Sequence, residues 1–259
     1  MNSLRLIFAA TLAFPCSNAL AGASEWHKVD GASVRLVTEG APDASGALRG
    51  ALEIKLQPGW KTYWRDPGAS GVPPTLEPSA GKVTVDYPAP SRFDDGHGAW
   101  AGYDAPVSFA LTFQVPAATR ADSLVVDAFL GVCETICIPV QAEFSVPLTD
   151  DTGHAAIVAQ AFAALPSTAK PDIGLGSLQA IREEIVVEAI LPHGTSAKDL
   201  FVAGDDEVSL GAPRAEARAD GGTRFSIPVL YGFEKLAHVE LPYTLVTSTG
   251  AISGVLSLP

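Results

Sequence analysis

The sequence predicts an all-β protein: two immunoglobulin-like antiparallel β-sandwiches joined by a short helix and a linker. Three observations carry this. Short runs rich in Val, Leu and Phe recur along the chain, either alternating or continuously apolar. Clusters of Gly, Pro and Asp punctuate them, as turns between strands require. A single alanine-rich stretch with helical spacing sits mid-chain, and strand-like runs resume after it.

In the first half the expected strands are Val34 to Thr38, Leu48 to Leu56, Lys82 to Tyr87, Val107 to Val115, Ser123 to Leu130 and Ala142 to Pro147. The turn signals between them include Gln57-Pro58-Gly59, Asp66-Pro67-Gly68, Val72-Pro73-Pro74 and Asp94-Asp95-Gly96. Thr149 to Thr152 then reads as a cap for a helix over His154 to Leu165, with Ile157, Val158, Ala161 and Phe162 on one face. Lys170-Pro171-Asp172 reads as a linker. Strands resume at Leu178 to Arg182, Ile185 to Leu191, Leu200 to Ala203, Thr223 to Val229, Ala237 to Val246 and Ile252 to Leu258. The expected units are residues 1–21 as a signal peptide, 22–150 as the first sandwich, and 151–259 as linker helix and second sandwich.

The signal reading rests on Arg5, the apolar run Leu6 to Phe14, and the small-x-small site Ala19-Leu20-Ala21 before Gly22. That run is too short to span a bilayer, and no later stretch reaches the ~18 apolar residues a membrane helix needs. Cys16 suggests a lipid anchor, but Pro15 stands where such a signal wants a small residue. The mature chain is therefore expected to be soluble and exported, in a bacterium to the periplasm. Cleavage removes Arg5 and no acid, so the formal net charge moves from -12 to -13. So acidic a balance argues against nucleic acid and anionic membrane surfaces.

Cleavage also removes Cys16, leaving Cys133 and Cys137 in Gly131-Val132-Cys133-Glu134-Thr135-Ile136-Cys137-Ile138-Pro139. A bridge between them would close a loop of about five residues, worth roughly 2 kcal/mol by chain entropy. A sandwich with a good core gains little from so short a staple. Glu134 would raise a neighbouring thiol pKa, and no Lys or Arg lies close in sequence to lower it. A redox pair, a structural bridge and a metal site all stay open on the residues alone. The metal reading is the poorest: His27, His97, His154, His193 and His238 lack ligand spacing, and the sole Met is Met1.

Other chemistries find no support. There is no nucleophile-elbow spacing, phosphate-cradling glycine loop or HExxH. Asp94 and Asp95 are neighbours on a glycine-rich loop, where paired acids usually solvate a turn. The second half has no cysteine and no ionisable cluster that reads as a site, so it is expected to be structural or to dock a partner. Arg92 to Tyr103 is an aromatic, glycine-bearing loop too long for a tight hairpin, and such loops tend to carry function. Trp60, Tyr63 and Trp64 lie on a strand upstream. These aromatics fill a core or form a lid that keeps stray thiols from the cysteines.

With these blocks assembled, the first half resembles the N-terminal periplasmic domain of the DsbD thiol:disulfide interchange proteins, and still more the related ScsB proteins linked to copper tolerance. The blocks that carry the resemblance stand in order: Leu56 to Gly68 (LQPGWKTYWRDPG), Gly71-Val72-Pro73-Pro74, Pro88 to Phe93, Gly102-Tyr103, and Val132 to Pro139. They cover about residues 25 to 150, and the two-sandwich layout is similar to the soluble region of ScsB. The resemblance implies electron transfer by thiol–disulfide exchange without a cofactor or metal. Cys137 would form the mixed disulfide with a partner and Cys133 would resolve it. The family's cap loop would fall on Trp100, Gly102 and Tyr103, and its aromatic strand beneath the cap on Tyr63 and Trp64.

The spacing of the cysteines departs from DsbD itself and is closer to ScsB. Through Pro259 the sequence contains neither a membrane domain nor a thioredoxin-like domain. Electrons are therefore expected from separate proteins: periplasmic thioredoxin-like or other thiol proteins, and a membrane thiol transporter. The competing expectation is a non-enzymatic docking module with a structural disulfide, serving copper tolerance or cytochrome c maturation.

Overall fold

The computed structural model describes residues 22–68, 71–94, 96, 98–116, 122–149 and 153–258. The expected signal segment with Cys16, the acid Asp95, His97 and the capping residues Asp150 to Thr152 lie outside them. The first half begins with β1 (His27–Val29), β2 (Ala32–Thr38), β3 (Ala47–Leu56), β4 (Lys61–Tyr63), β5 (Thr75–Pro78) and β6 (Lys82–Asp86). It continues with β7 (Ser91–Asp94), β8 (Ala99–Tyr103), β9 (Val107–Gln114), β10 (Ser123–Cys133) and β11 (Cys137–Pro147).

These strands form two facing sheets, ordered β1-β2-β3-β9-β6 and β11-β10-β4-β8-β7, with β5 also paired to β10. Alternation decides which side chains meet between them. Val34, Leu36, Leu52, Ile54, Phe109, Leu111 and Phe113 project from one sheet, and Leu124, Val126, Leu130, Val132, Val140, Phe144 and Val146 from the other. On the other face of this sheet lie Val37 of β2, Ala51 of β3 and Ala110 of β9. There they receive Val158 and Ala161 of α1 (Ala155–Ala163). Two alanines let the helix approach this sheet, so α1 lies on the first sandwich although it follows that sandwich in sequence.

The second half contains β12 (Ser167–Thr168), β13 (Gly174–Ile181), β14 (Glu184–Ile190), β15 (Ala197–Val202) and β16 (Ser209–Leu210). It ends with β17 (Arg214–Ala217), β18 (Thr223–Tyr231), β19 (Leu241–Thr247) and β20 (Gly250–Leu256). The sheets run β12-β20-β19-β15 and β13-β14-β18-β16, with β17 also on β18. They enclose Ile185, Val187, Leu200, Phe225, Ile227, Leu241 and Leu245. The fold is all-β as expected, with antiparallel pairing except where β12 runs parallel to β20.

Three expectations change. Residues 92–103 are not one long loop: β7 and β8 pair as a hairpin, with Phe93 opposite Trp100. The cysteine-bearing strands are longer than expected and run up to the cysteines themselves. The expected strand from Ala237 begins instead at Leu241, because Gly232, at φ 78°, turns the chain into a 3-10 helix over Phe233–His238.

The halves meet at β7 and β15. Arg92 donates to both carboxylate oxygens of Asp199 and, at 2.7 Å, to the Leu200 carbonyl. Along β15, Leu200 faces its own core. Phe201 points the other way and meets the Trp64 ring edge-on at 5.9 Å.

Candidate functional site

The site is built at the turn end of the β10–β11 hairpin. Cys133 and Cys137 are register partners, separated by Glu134, Thr135 and Ile136. They are joined as a disulfide. Their surroundings differ: Cys133 is buried at 9% exposure, whereas Cys137 and the three residues between them are exposed. Ile136, at the tip, is 70% exposed.

β4 forms the floor beside Cys133. It is led in by the Pro58-Gly59 turn, where the Trp60 amide donates to the Gln57 carbonyl at 3.0 Å. Gly59 has φ 88°, the left-handed value a type II turn demands of its third residue. Thr62 faces inward and its hydroxyl donates to the Gly131 carbonyl at 2.9 Å, which fixes β4 against β10. Lys61 and Tyr63 then face the cysteine side. The buried Tyr63 hydroxyl lies 3.0 Å from Cys133 Sγ and 3.2 Å from Cys137 Sγ, so it donates towards both sulfurs.

Glycines make room for these rings. A Cβ on Gly131 would come within 2.9 Å of the Tyr63 ring. A Cβ on Gly102 would approach the Thr62 carbonyl oxygen to 2.2 Å and the Trp100 ring to 2.8 Å. Trp100 meets Tyr63 edge-on at 5.4 Å and stacks on Phe93 at 4.5 Å. Tyr63, Trp100, Cys133 and Phe93 thus form an apolar cluster of their own, apart from the main core.

Of the residues expected around the cysteines, Tyr63 and Trp100 pack in this cluster, and Gly102 leaves clearance for the Trp100 ring and the Thr62 carbonyl. Trp64 and Tyr103 lie instead in the main core. Strand alternation sends them there, one position beyond Tyr63 and Gly102. Tyr103 packs on Phe109 and donates to the Pro88 carbonyl at 2.8 Å; burial pushes its phenol well above the usual range and keeps it neutral. Trp100 to Tyr103 is therefore a paired strand, not a loop.

Two neighbours went unrecognised as site residues. Phe93 backs Trp100, and Lys61 is the register partner of Cys133 across the β4–β10 ladder. The i, i+2 spacing of Lys61 and Tyr63 was the available signal. Glu134 stays exposed and lies over the turn, since a Cβ on Gly59 would meet its Oε1 at 3.1 Å.

A buried sulfur, an exposed sulfur and a hydroxyl donating to both are parts that suit opening and closing a disulfide. Residues 35–149 match the family model described as thiol:disulfide interchange protein DsbD, N-terminal. This segment is similar to the DsbD N-terminal family. The match spans the first sandwich from β2 to the end of β11, so both cysteines and the Tyr63 strand fall inside the matched segment. A comparison with curated proteins finds no match. Among solved structures the chain is similar to the N-terminal periplasmic domain of ScsB from Proteus mirabilis. The TM-score is 0.74 at 19% identity, covering 92% of this chain and 100% of that one. That likeness extends the common fold through the second sandwich. Among the described residues, no helix is long and apolar enough to cross a membrane.

Proposed function

We propose that the chain is a periplasmic thiol–disulfide interchange protein that passes electrons to or from partner proteins through Cys133 and Cys137. The observation that carries this reading is the asymmetry of the pair about Tyr63. A partner thiolate reaches the exposed Cys137 and attacks its sulfur. The disulfide breaks, and its electron pair stays on Cys133 Sγ, to which the Tyr63 hydroxyl donates at 3.0 Å. A hydrogen bond to the charged form of a sulfur favours that form and so makes it a better leaving group. The partner's second thiolate then attacks its own sulfur in the mixed disulfide. The partner leaves oxidised, and this chain is left as a dithiol. Run backwards, Cys137 attacks a partner disulfide and Cys133 resolves the adduct.

Periplasmic location is supported by the export-type first 21 residues, by the setting named for the ScsB domain, and by the persistence of disulfides in oxidising compartments. Thioredoxin-like or other thiol proteins, fed by a separate membrane thiol transporter, fit as partners. Trp100 and Phe93 wall one flank of the buried sulfur, which suits a shield against small thiols. The cysteine roles are tested by trapping. Cys133→Ala should retain partner proteins on Cys137 as disulfide adducts on non-reducing gels, and Cys137→Ala should retain none. Adducts held equally by both variants, or by neither, contradict the assignment.

A further inference from the structure

Lys61 brings a positive charge to a cysteine that has none nearby in sequence. It pairs with Cys133 in the antiparallel β4–β10 ladder. Partners of this kind project to one face with Cβ atoms about 5 Å apart. Its Nζ lies 5.7 Å from the centroid of Phe93 and 6.0 Å from that of Trp100. Both rings pack in the cluster that holds Cys133, so the ammonium stays on the sulfur's side of the sheet. Lys61 is half-buried, and among the described residues it forms no ion pair.

We propose that Lys61 is a positioning residue for exchange, its ammonium holding Cys133 as the thiolate whenever the disulfide is open. This rests on the interchange reading above. When a partner thiolate bonds to Cys137 Sγ, one S–S bond forms and one breaks, and the released pair resides on Cys133 Sγ. A nearby cation stabilises that charge, so the leaving sulfur needs no proton. In the reverse direction the same thiolate attacks Cys137 Sγ without first losing one.

Among the described residues, the other groups facing Cys133 do not supply this charge. Tyr63, from β4, donates a neutral hydroxyl. β8 and β7 present the rings of Trp100 and Phe93, and the Asp94 carboxylate accepts from the Gly96 amide. In the hairpin, Cys137 is the second sulfur and Glu134 an exposed acid over Gly59 that works against the thiolate.

Replacing Cys16 and Cys137 by Ser leaves Cys133 as the sole thiol. Its titration can then be followed by ultraviolet thiolate absorbance in the full chain. With Lys61 present, the Cys133 pKa should lie about one unit below its value in Lys61→Met, the size expected of a nearby opposite charge. Lys61→Arg should keep the low value, and circular dichroism checks that the variants are folded. An unshifted pKa in Lys61→Met overturns the proposal, and so does a Lys61→Arg value as high as that of Lys61→Met. The natural pair is assayed alongside by exchange with a glutathione redox buffer. Exchange combined with one shared Cys133 pKa across the variants overturns the role of Lys61 alone. No exchange overturns the interchange reading, and the proposal with it.

Discussion

Tyr63 is the residue on which both sulfurs converge, and its hydroxyl is the donor placed to receive a developing thiolate. Hydrogen bonds to charged groups are worth about 1.5–3 kcal/mol, so Tyr63→Phe should slow disulfide opening by a partner thiol about tenfold or more. Stopped-flow reduction kinetics check this; an unchanged rate removes Tyr63 from the chemistry. Tyr87 makes a different prediction. Burial raises its phenol to about 12, above the ~10 of an unfolded chain. The folded state therefore holds this proton more tightly. The stability gained is present below pH ~10 and is lost as pH rises from there through about 12. Denaturant unfolding against pH should show Tyr87→Phe with a shallower alkaline decline than the parent. At this scale the sequence offered the cysteines and Tyr63 as candidates, and the structure places the Tyr63 hydroxyl against both sulfurs. The sequence concealed Lys61, because its closeness to Cys133 arises from cross-strand register between segments distant in the chain.

Among elements, the β7–β8 hairpin is the wall of the site. Trp100 stacks on Phe93 and meets Tyr63 edge-on, covering one flank of the buried sulfur. Trp100→Ala should speed reduction of the disulfide by dithiothreitol severalfold. A rate unaltered by the substitution would mean that the hairpin shields nothing. The sequence read this stretch as a loop because Asp94 to Gly98 concentrates acids and glycines, and the short apolar run after it lacks clear alternation. The extension of β10 and β11 to the cysteines was hidden for a related reason: Gly131, Glu134 and Pro139 look like strand breakers. Gly131 is needed there because the Tyr63 ring occupies the space over it. The main strands were legible because their Val, Leu and Phe residues fill one core.

For the whole molecule, two sandwiches were readable from punctuated apolar runs, but their junction was not. It depends on Arg92, Asp199, Trp64 and Phe201, single residues whose meeting no local pattern signals. Arg92 lies next to Phe93 on β7, so the second sandwich braces the strand behind Trp100. Asp199→Ala leaves the guanidinium without its carboxylate, a loss of about 1–3 kcal/mol. At ~2–4 °C per kcal/mol for a chain of this size, thermal unfolding should fall by several degrees. An unmoved transition for the first sandwich would mean that the halves unfold independently. The central claim is that Cys133–Cys137 is a reagent and not a staple. Equilibration with graded thiol redox buffers gives its reduction potential. The account predicts a value above about -300 mV, within reach of thioredoxin-like partners. A value below about -300 mV, as inert structural bridges have, would contradict it.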